Sequence, residues 1–248
     1  MTASSTPSGN IPAAIFRKPT LVSMPHIAAK LLLKPGQRVL DIGCGWGGLA
    51  IALARMADVE VLGVTLSEEQ YKSAVARAKA SGVSDRVRFE LMDYRLIEDT
   101  FDRVVSVGMF EHVGINNYRD FFSKVRETLT EDGVALLHSI GRQDGPGVTN
   151  PWIRRYIFPG GYSPALSEVL PEIERQQLWV TDIEVLRLHY AKTIRHWRNR
   201  FMASWDAMAS LYDERFCRMW EFYLISAELS FRRFGHMVFQ VQMARDQE

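Results

Sequence analysis

Short β-branched apolar runs recur along the first part of the chain, at Arg38–Ile42, Val59–Val64, Val87–Met92, Asp102–Val107 and Val134–Ile140. Between them lie Trp46–Ala57, Glu68–Ser81 and Asn117–Leu129, whose apolar residues fall at helical spacing. Strand, helix, strand at this rhythm predicts βαβ units and a parallel sheet covered on both faces. Past Ile140 the texture changes. Gly141–Gly147 and Pro159–Pro164 are rich in breakers, so 141–177 reads as an irregular covering segment. Trp179–Leu188 is expected to return as a strand. A helix should follow, with Ile194, Trp197, Phe201, Trp205 and Met208 on one face. A second begins after Asp213, a residue suited to cap it, and aligns Phe216, Trp220, Tyr223, Ala227 and Phe231. Met237–Met243 alternates and predicts a closing strand. The expected fold is α/β, with one mostly parallel sheet over 38–245. Aromatic-rich helical insertions at about 141–177 and 190–234 should cover its C-terminal edge.

The 248 residues sit near the upper end of what one core supports. Hydrophobic residues at 47% and charged residues at 24% exclude disorder along the whole chain. A formal charge of +1 provides no global field for nucleic acid, and none is expected as a partner. Two cysteines, Cys44 and Cys217, do not make a disulfide scaffold. Residues 1–10 have no basic n-region and no apolar h-region, so they read as a flexible tail and not a secretory signal. No apolar run approaches the roughly 18 residues that a membrane span needs. A cytoplasmic protein is expected.

The most informative segment is Val39-Leu40-Asp41-Ile42-Gly43-Cys44-Gly45-Trp46-Gly47-Gly48. A strand runs into glycines and then into a helix, which lets backbone approach a ligand where helix N–H groups face outward. Gly43, Gly45 and Gly48 satisfy G-x-G-x-x-G, but the dinucleotide fingerprint also asks for an acid roughly 20 residues on. The second strand ends in Gly63-Val64-Thr65-Leu66-Ser67, with no carboxylate before Glu68. NAD is therefore disfavoured, and a tight turn without ligand is the plain alternative. Asp41, two residues before Gly43, gives D-x-G-x-G. That pattern resembles motif I of the Rossmann-like class I S-adenosylmethionine-dependent methyltransferases.

Later segments narrow the likeness. LKPGQRVLDIGCGWGGLA, GVTLSEEQ, SVGMFEHVG, LLHSIG, PWIRRYIFPGG and YDERFCRMWEFYL, in this order, resemble the cyclopropane-fatty-acyl-phospholipid synthase family, with its mycolic acid cyclopropane synthases. The resemblance runs from about Leu31 to Arg245. It implies S-adenosyl-L-methionine as methyl donor, with Asp41, Gly43 and Gly45 at its methionine end. Thr65, Leu66 and Gln70 would lie near its ribose and adenosine, and Asp93 and Tyr94 beside the adenine. It further implies a bound bicarbonate as base, held by Glu111, His138, the backbone of Ile140, and Tyr190. Taken singly, His138 would pass for a core histidine, Glu111 for a helix cap and Tyr190 for packing. As an ordered set they favour function. No metal enters this reading.

The sequence departs from the family before its first strand, which only 37 residues precede. The nearest counterpart of a Y-S-C-A-Y-F type motif is Pro12-Ala13-Ala14-Ile15-Phe16, with Ala13 at the cysteine position. A shortened lid over 11–37 is expected, and Pro25 argues against a helix there. Residues 151–248 hold 17 of the 27 aromatic side chains, and Tyr162, Trp179 and Tyr190 are candidates for an acyl-chain cavity. Arg187, Lys192, Arg195, Arg198 and Arg200, with no intervening acid, read as a solvated helix face or as a dock for anionic headgroups. The resemblance implies methylene transfer to a cis double bond of an unsaturated phospholipid at the membrane surface. It also allows peripheral contact with the inner face of the membrane, and a homo-oligomer. Another methyl acceptor (an acyl chain without ring closure, or an amine) and a binding protein that has lost catalysis remain the alternatives.

Overall fold

The computed structural model describes residues 19–246. Ala13 and its neighbours lie outside them. After helix α1 (Pro19–Lys30) the chain alternates through β1 (Arg38–Ile42), α2 (Gly48–Met56), β2 (Glu60–Thr65), α3 (Glu68–Ala80) and β3 (Val87–Leu91). It continues through β4 (Phe101–Val107), α4 (Tyr118–Thr128) and β5 (Leu129–Arg142). Two short helices follow, α5 (Pro151–Tyr156) and α6 (Leu166–Arg175), then β6 (Trp179–Val185). Helices α7 (Arg187–Ala203), α8 (Trp205–Leu211) and α9 (Glu214–Arg233) precede β7 (His236–Ala244).

The strands form one sheet in the order β3-β2-β1-β4-β5-β7-β6, parallel except for β7, which runs antiparallel to both its neighbours. Chain order reverses at β1, which has β2 on one side and β4 on the other. Such switch points open a crevice at the C-terminal strand ends. On one face, α2 and α3 pack Ile51, Leu53, Ala74 and Ala78 against Val39, Val61 and Val105. On the other, α4 and α6 place Phe121, Phe122, Val125, Val169 and Ile173 over Leu40, Val104 and Leu137. A third cluster joins α7, α8 and α9 through Ile194, Phe201, Met208, Cys217, Trp220, Leu224 and Phe231.

Three expectations change. The segment 141–177 is not irregular throughout, because α6 forms in spite of Pro164 and Pro171. Its start is held by the Glu168 carboxylate, which accepts from Ala165 N–H at 2.8 Å, while Val169 and Ile173 are fully buried. The helix expected across 194–208 is interrupted at Ser204 and continues as α8. Pro25 lies inside α1 without preventing it. Tertiary contacts override its breaker character: Ile27 and Leu31 are buried, and the Lys30 ammonium pairs with Asp182 and Glu184 of β6.

Candidate active site

The glycine loop at the end of β1 is shaped by what surrounds it. Gly43 and Gly47 have φ of +79° and +73°, in the left-handed region. A Cβ on Gly43 would lie 2.5 Å from Met109 Cγ, and one on Gly47 would strike the Phe89 ring at 2.6 Å. Gly43 and Cys44 N–H both donate to Val64 C=O at 3.0 Å, tying the loop to β2. Gly45, at φ +54°, has open space where a side chain would stand. Beneath the loop Asp41 is buried, and among the described residues its Oδ2 has no hydrogen-bond partner. Loss of water pushes its carboxyl up to about 7. An orphaned buried carboxylate beside an open glycine turn fits a ligand with a cationic end.

At the end of β2, Thr65 Oγ1 donates to Gln70 Oε1 at 2.9 Å, and Ser67 caps α3 by accepting from Gln70 N–H at 3.4 Å. Leu66, between them, is 69% exposed and offers an apolar face beside these polar groups. Asp93 caps the turn Tyr94–Leu96 and pairs with Arg95, which holds its carboxyl below the usual range. Tyr94 packs edge-on against Phe121, with ring centroids 5.7 Å apart.

The remaining predicted residues gather around a cavity of about 1090 Å³. Glu111, in the turn after β4, His138 and Ile140 on β5, Tyr190 on α7 and Tyr162 from the loop before α6 all line it. Trp197, Trp220, Phe222, Tyr223 and Phe231 supply aromatic wall. Leu49 and Gly108, also in the lining, carry the cavity toward the glycine loop. Trp179 does not take part: it is 55% exposed at the start of the edge strand β6.

Glu111 Oε1 accepts from Ile140 N–H at 2.7 Å, while its buried Oε2 has no hydrogen-bond partner among the described residues. The expected backbone donor of Ile140 is therefore engaged by Glu111 itself. Tyr162 N–H donates to Glu111 C=O at 2.9 Å, fixing the covering loop over the carboxylate. Burial pushes the Glu111 carboxyl up to about 7, the Ile140 bond opposing it. His138 Nδ1 accepts from Gln240 Nε2 at 3.0 Å, a neighbour fixed by the antiparallel register of β5 and β7. Desolvation pushes His138 down to about 4, so at neutral pH it is uncharged. With Nδ1 accepting, its proton sits on Nε2. Burial, and after it the neighbouring Tyr223 and Glu111, raise the Tyr190 hydroxyl above its ordinary value, keeping it protonated. Gln240, fully buried, is the one residue of this group that sequence reasoning missed.

Residues 18–241 match the family described as mycolic acid cyclopropane synthetase. The chain is 43% identical over 222 residues to cyclopropane-fatty-acyl-phospholipid synthase of Escherichia coli, covering 90% of this chain and 57% of that protein. It is 39% identical over 222 residues to tuberculostearic acid methyltransferase UfaA1 of Mycobacterium tuberculosis, with 86% and 51% covered. The chain thus spans about half the length of these curated relatives. The crystal structure of mycolic acid cyclopropane synthase CmaA1 complexed with SAH and CTAB superposes with a TM-score of 0.83 at 30% identity, covering 90% of this chain and 83% of that one. The sheet order, the helical layer beyond β5 and this match over most of the sequence carry one conclusion: the chain belongs to the mycolic acid cyclopropane synthetase family, on a class I methyltransferase fold.

Proposed function

We propose that this chain is an S-adenosylmethionine-dependent cyclopropane-fatty-acyl-phospholipid synthase, acting on the cis double bond of an unsaturated phospholipid acyl chain. The observation that carries the reading is Glu111 Oε2, a buried carboxylate oxygen with no hydrogen-bond partner among the described residues, in an aromatic-lined cavity large enough for an acyl segment. The relatives' names, and the SAH and CTAB bound by the mycolic acid cyclopropane synthase, support a methyl donor and a long-chain amphiphile as ligands.

When bound, the cofactor supplies an electrophilic methyl group on sulfonium, and bicarbonate supplies the base for the proton that ring closure releases. Asp41 would hold the cofactor's amino end as a carboxylate, and Gly43 and Gly45 would let backbone lie along it. Thr65, Leu66 and Gln70 would hold the ribose and adenosine, and Asp93 and Tyr94 the adenine. An alkene is a weak nucleophile, so the walls Trp197, Trp220, Tyr223 and Phe231 must hold it in line and keep water out. Their ring faces also favour the positive charge that methyl addition leaves on the acyl chain. One proton then leaves the transferred methyl group as the ring closes. His138 donates from Nε2 and Tyr190 from its hydroxyl to hold an anion there. Glu111, balanced near neutrality, can orient that anion or share its proton. Three side chains thus fit the bicarbonate, whereas Ile140 N–H is held by Glu111.

A second reading, methyl addition without ring closure, is favoured by the likeness to tuberculostearic acid methyltransferase. The two differ in where the proton is lost. Incubation with methyl-labelled S-adenosylmethionine, bicarbonate and unsaturated phospholipid, followed by mass spectrometry of released chains, separates them. Chains heavier by one methylene and resistant to hydrogenation support the synthase. Chains of the same added mass that keep a double bond, carry a methyl or methylene branch and take up hydrogen would support the second reading, and no labelled lipid would overturn both.

A further inference from the structure

The rim of the cavity is built unlike its interior. Of the lining residues, Val148 is 88% exposed and Phe222 58% exposed. Trp152, on α5, meets Phe222 edge-on with centroids 5.2 Å apart and contacts Tyr156 at 6.1 Å. Tyr156 is itself exposed, and the Arg155 guanidinium lies over its ring at 5.4 Å. Arg154 and Arg155 are exposed, and among the described residues neither is ion-paired with a carboxylate. Residues 145–167 contain no acid at all. Apolar and aromatic groups beside unpaired cations, at the mouth of an apolar cavity, make a surface of defined chemistry.

The arginine run of α7 competes for this role and does not fill it. Arg187 is spent on the carbonyls of Phe231, Arg232 and Phe234 at the end of α9. Arg195 pairs with Glu228 at 2.7 Å, and Arg198 with Glu221 at 3.3 Å. These cations fasten α7 to α9.

We propose that the rim formed by Val148, Trp152, Arg154, Arg155, Tyr156 and Phe222 docks on an anionic lipid bilayer. An acyl chain then passes from the bilayer into the cavity without crossing water. The arginines face the headgroups, and the aromatic residues lie at the level where such side chains favour a membrane interface. The inference rests on the reading of this chain as a lipid enzyme and adds where that enzyme meets its substrate.

Cys44 and Cys217 are buried, so a cysteine introduced at Val148 can be labelled selectively with an environment-sensitive fluorophore. Val75→Cys on α3, where Val75 is 43% exposed, serves as the control site. With phosphatidylglycerol vesicles and no cofactor, the label at 148 should shift to the blue and the label at 75 should not. Arg154→Glu combined with Arg155→Glu should weaken vesicle partition by roughly twentyfold or more, with little effect on phosphatidylcholine vesicles. A silent label at 148 on protein that floats with the vesicles overturns the proposal, as does unchanged partition of the double variant. A shift that follows protein concentration without vesicles overturns it too, by assigning the rim to a second copy of the chain. Docking without methylene transfer would overturn the enzyme reading alone. Methylene transfer to detergent-dispersed lipid without docking would overturn the docking alone.

Discussion

Around β1, β2, α2 and α3 the interior is made of Val, Ala, Ile and Leu, fitted so closely that a Cβ on Gly63 would lie 2.7 Å from the Phe89 ring and 2.9 Å from Cys44 Cβ. Beyond β5, Ile, Leu and Met are joined by Trp, Tyr and Phe side chains packed among and against them, and this layer encloses about 1090 Å³. Large flat side chains can brace a layer of helices while leaving a gap between them; small branched ones cannot. The filled half therefore fixes the shape of a backbone loop. The hollow half holds Glu111 and His138 away from water without filling the space before them. Each half contains a carboxylate raised to about 7 by burial, Asp41 in one and Glu111 in the other.

The sharpest way to separate the halves is Glu111→Gln. The amide keeps the shape of the side chain and can still accept from Ile140 N–H, but it cannot exchange a proton. Turnover should fall by roughly a thousandfold while cofactor binding persists. Stability should move the other way. Below the ordinary carboxylate range both folded and unfolded forms carry the proton, and the folded state pays nothing for Glu111. As pH rises toward about 7 the unfolded chain ionises first, and stability is lost. The melting temperature of the variant, relative to wild type, should therefore climb from about pH 5 to pH 8. A flat difference would mean that Glu111 is not desolvated.

Gly47→Ala tests the filled half. The added Cβ must adopt φ near +73° and meets Phe89 at 2.6 Å and Ala74 Cβ at 2.9 Å. The left-handed backbone and the overpacking together should cost about 2–5 kcal/mol in denaturant unfolding. A loss below about 1 kcal/mol would show that the loop relaxes, contrary to the packing described.

How much of this could be read beforehand follows the same division. The parallel sheet is legible because its strands are apolar runs at regular spacing, and the gathering of Glu111, His138 and Tyr190 at one cavity because they sit in ordered motifs. Helix α6 is hidden by Pro164 and Pro171, whose breaker signal outweighs a strongly amphipathic stretch. The arginine run of α7 looks solvated because its partners Glu221 and Glu228 lie on α9, far along the chain. Gln240 is hidden by alternation: in Met237–Met243 it occupies a polar position that would face water on a one-sided sheet. Here both faces are covered and it is fully buried. Only the pairing of β5 with β7, a tertiary fact, puts it opposite His138.

Asp41→Asn should weaken S-adenosylmethionine binding by roughly ten- to a hundredfold, the worth of one charge-assisted hydrogen bond. Its pH dependence identifies the cause. A cationic ligand needs the carboxylate ionised, so wild-type affinity should fall by up to about tenfold per unit as pH drops below about 7, and level off above it. The amide variant should lack that slope. Calorimetric titration across pH measures both. Equal slopes would place the ligand's cation elsewhere.

The smallest effect expected is at Gln240, and it distinguishes positioning from packing. Its amide nitrogen donates to His138 Nδ1, which leaves the ring proton on Nε2, toward the cavity. Gln240→Leu removes the donor and frees the ring to sample both tautomers, so turnover should drop by only a few-fold, about the cost of one hydrogen bond near 1 kcal/mol. Gln240→Glu keeps a polar partner but makes it an acceptor, which draws the proton to Nδ1 and leaves Nε2 unable to donate. If Gln240 merely packs, the carboxylate variant, closer in shape, should be the milder one. If it sets the tautomer, the carboxylate variant should be the worse. Nitrogen chemical shifts of the His138 ring should report the proton on Nε2 in wild type, on Nδ1 in the glutamate variant and shared in the leucine variant. Loss of turnover without that movement of the proton would return Gln240 to the core.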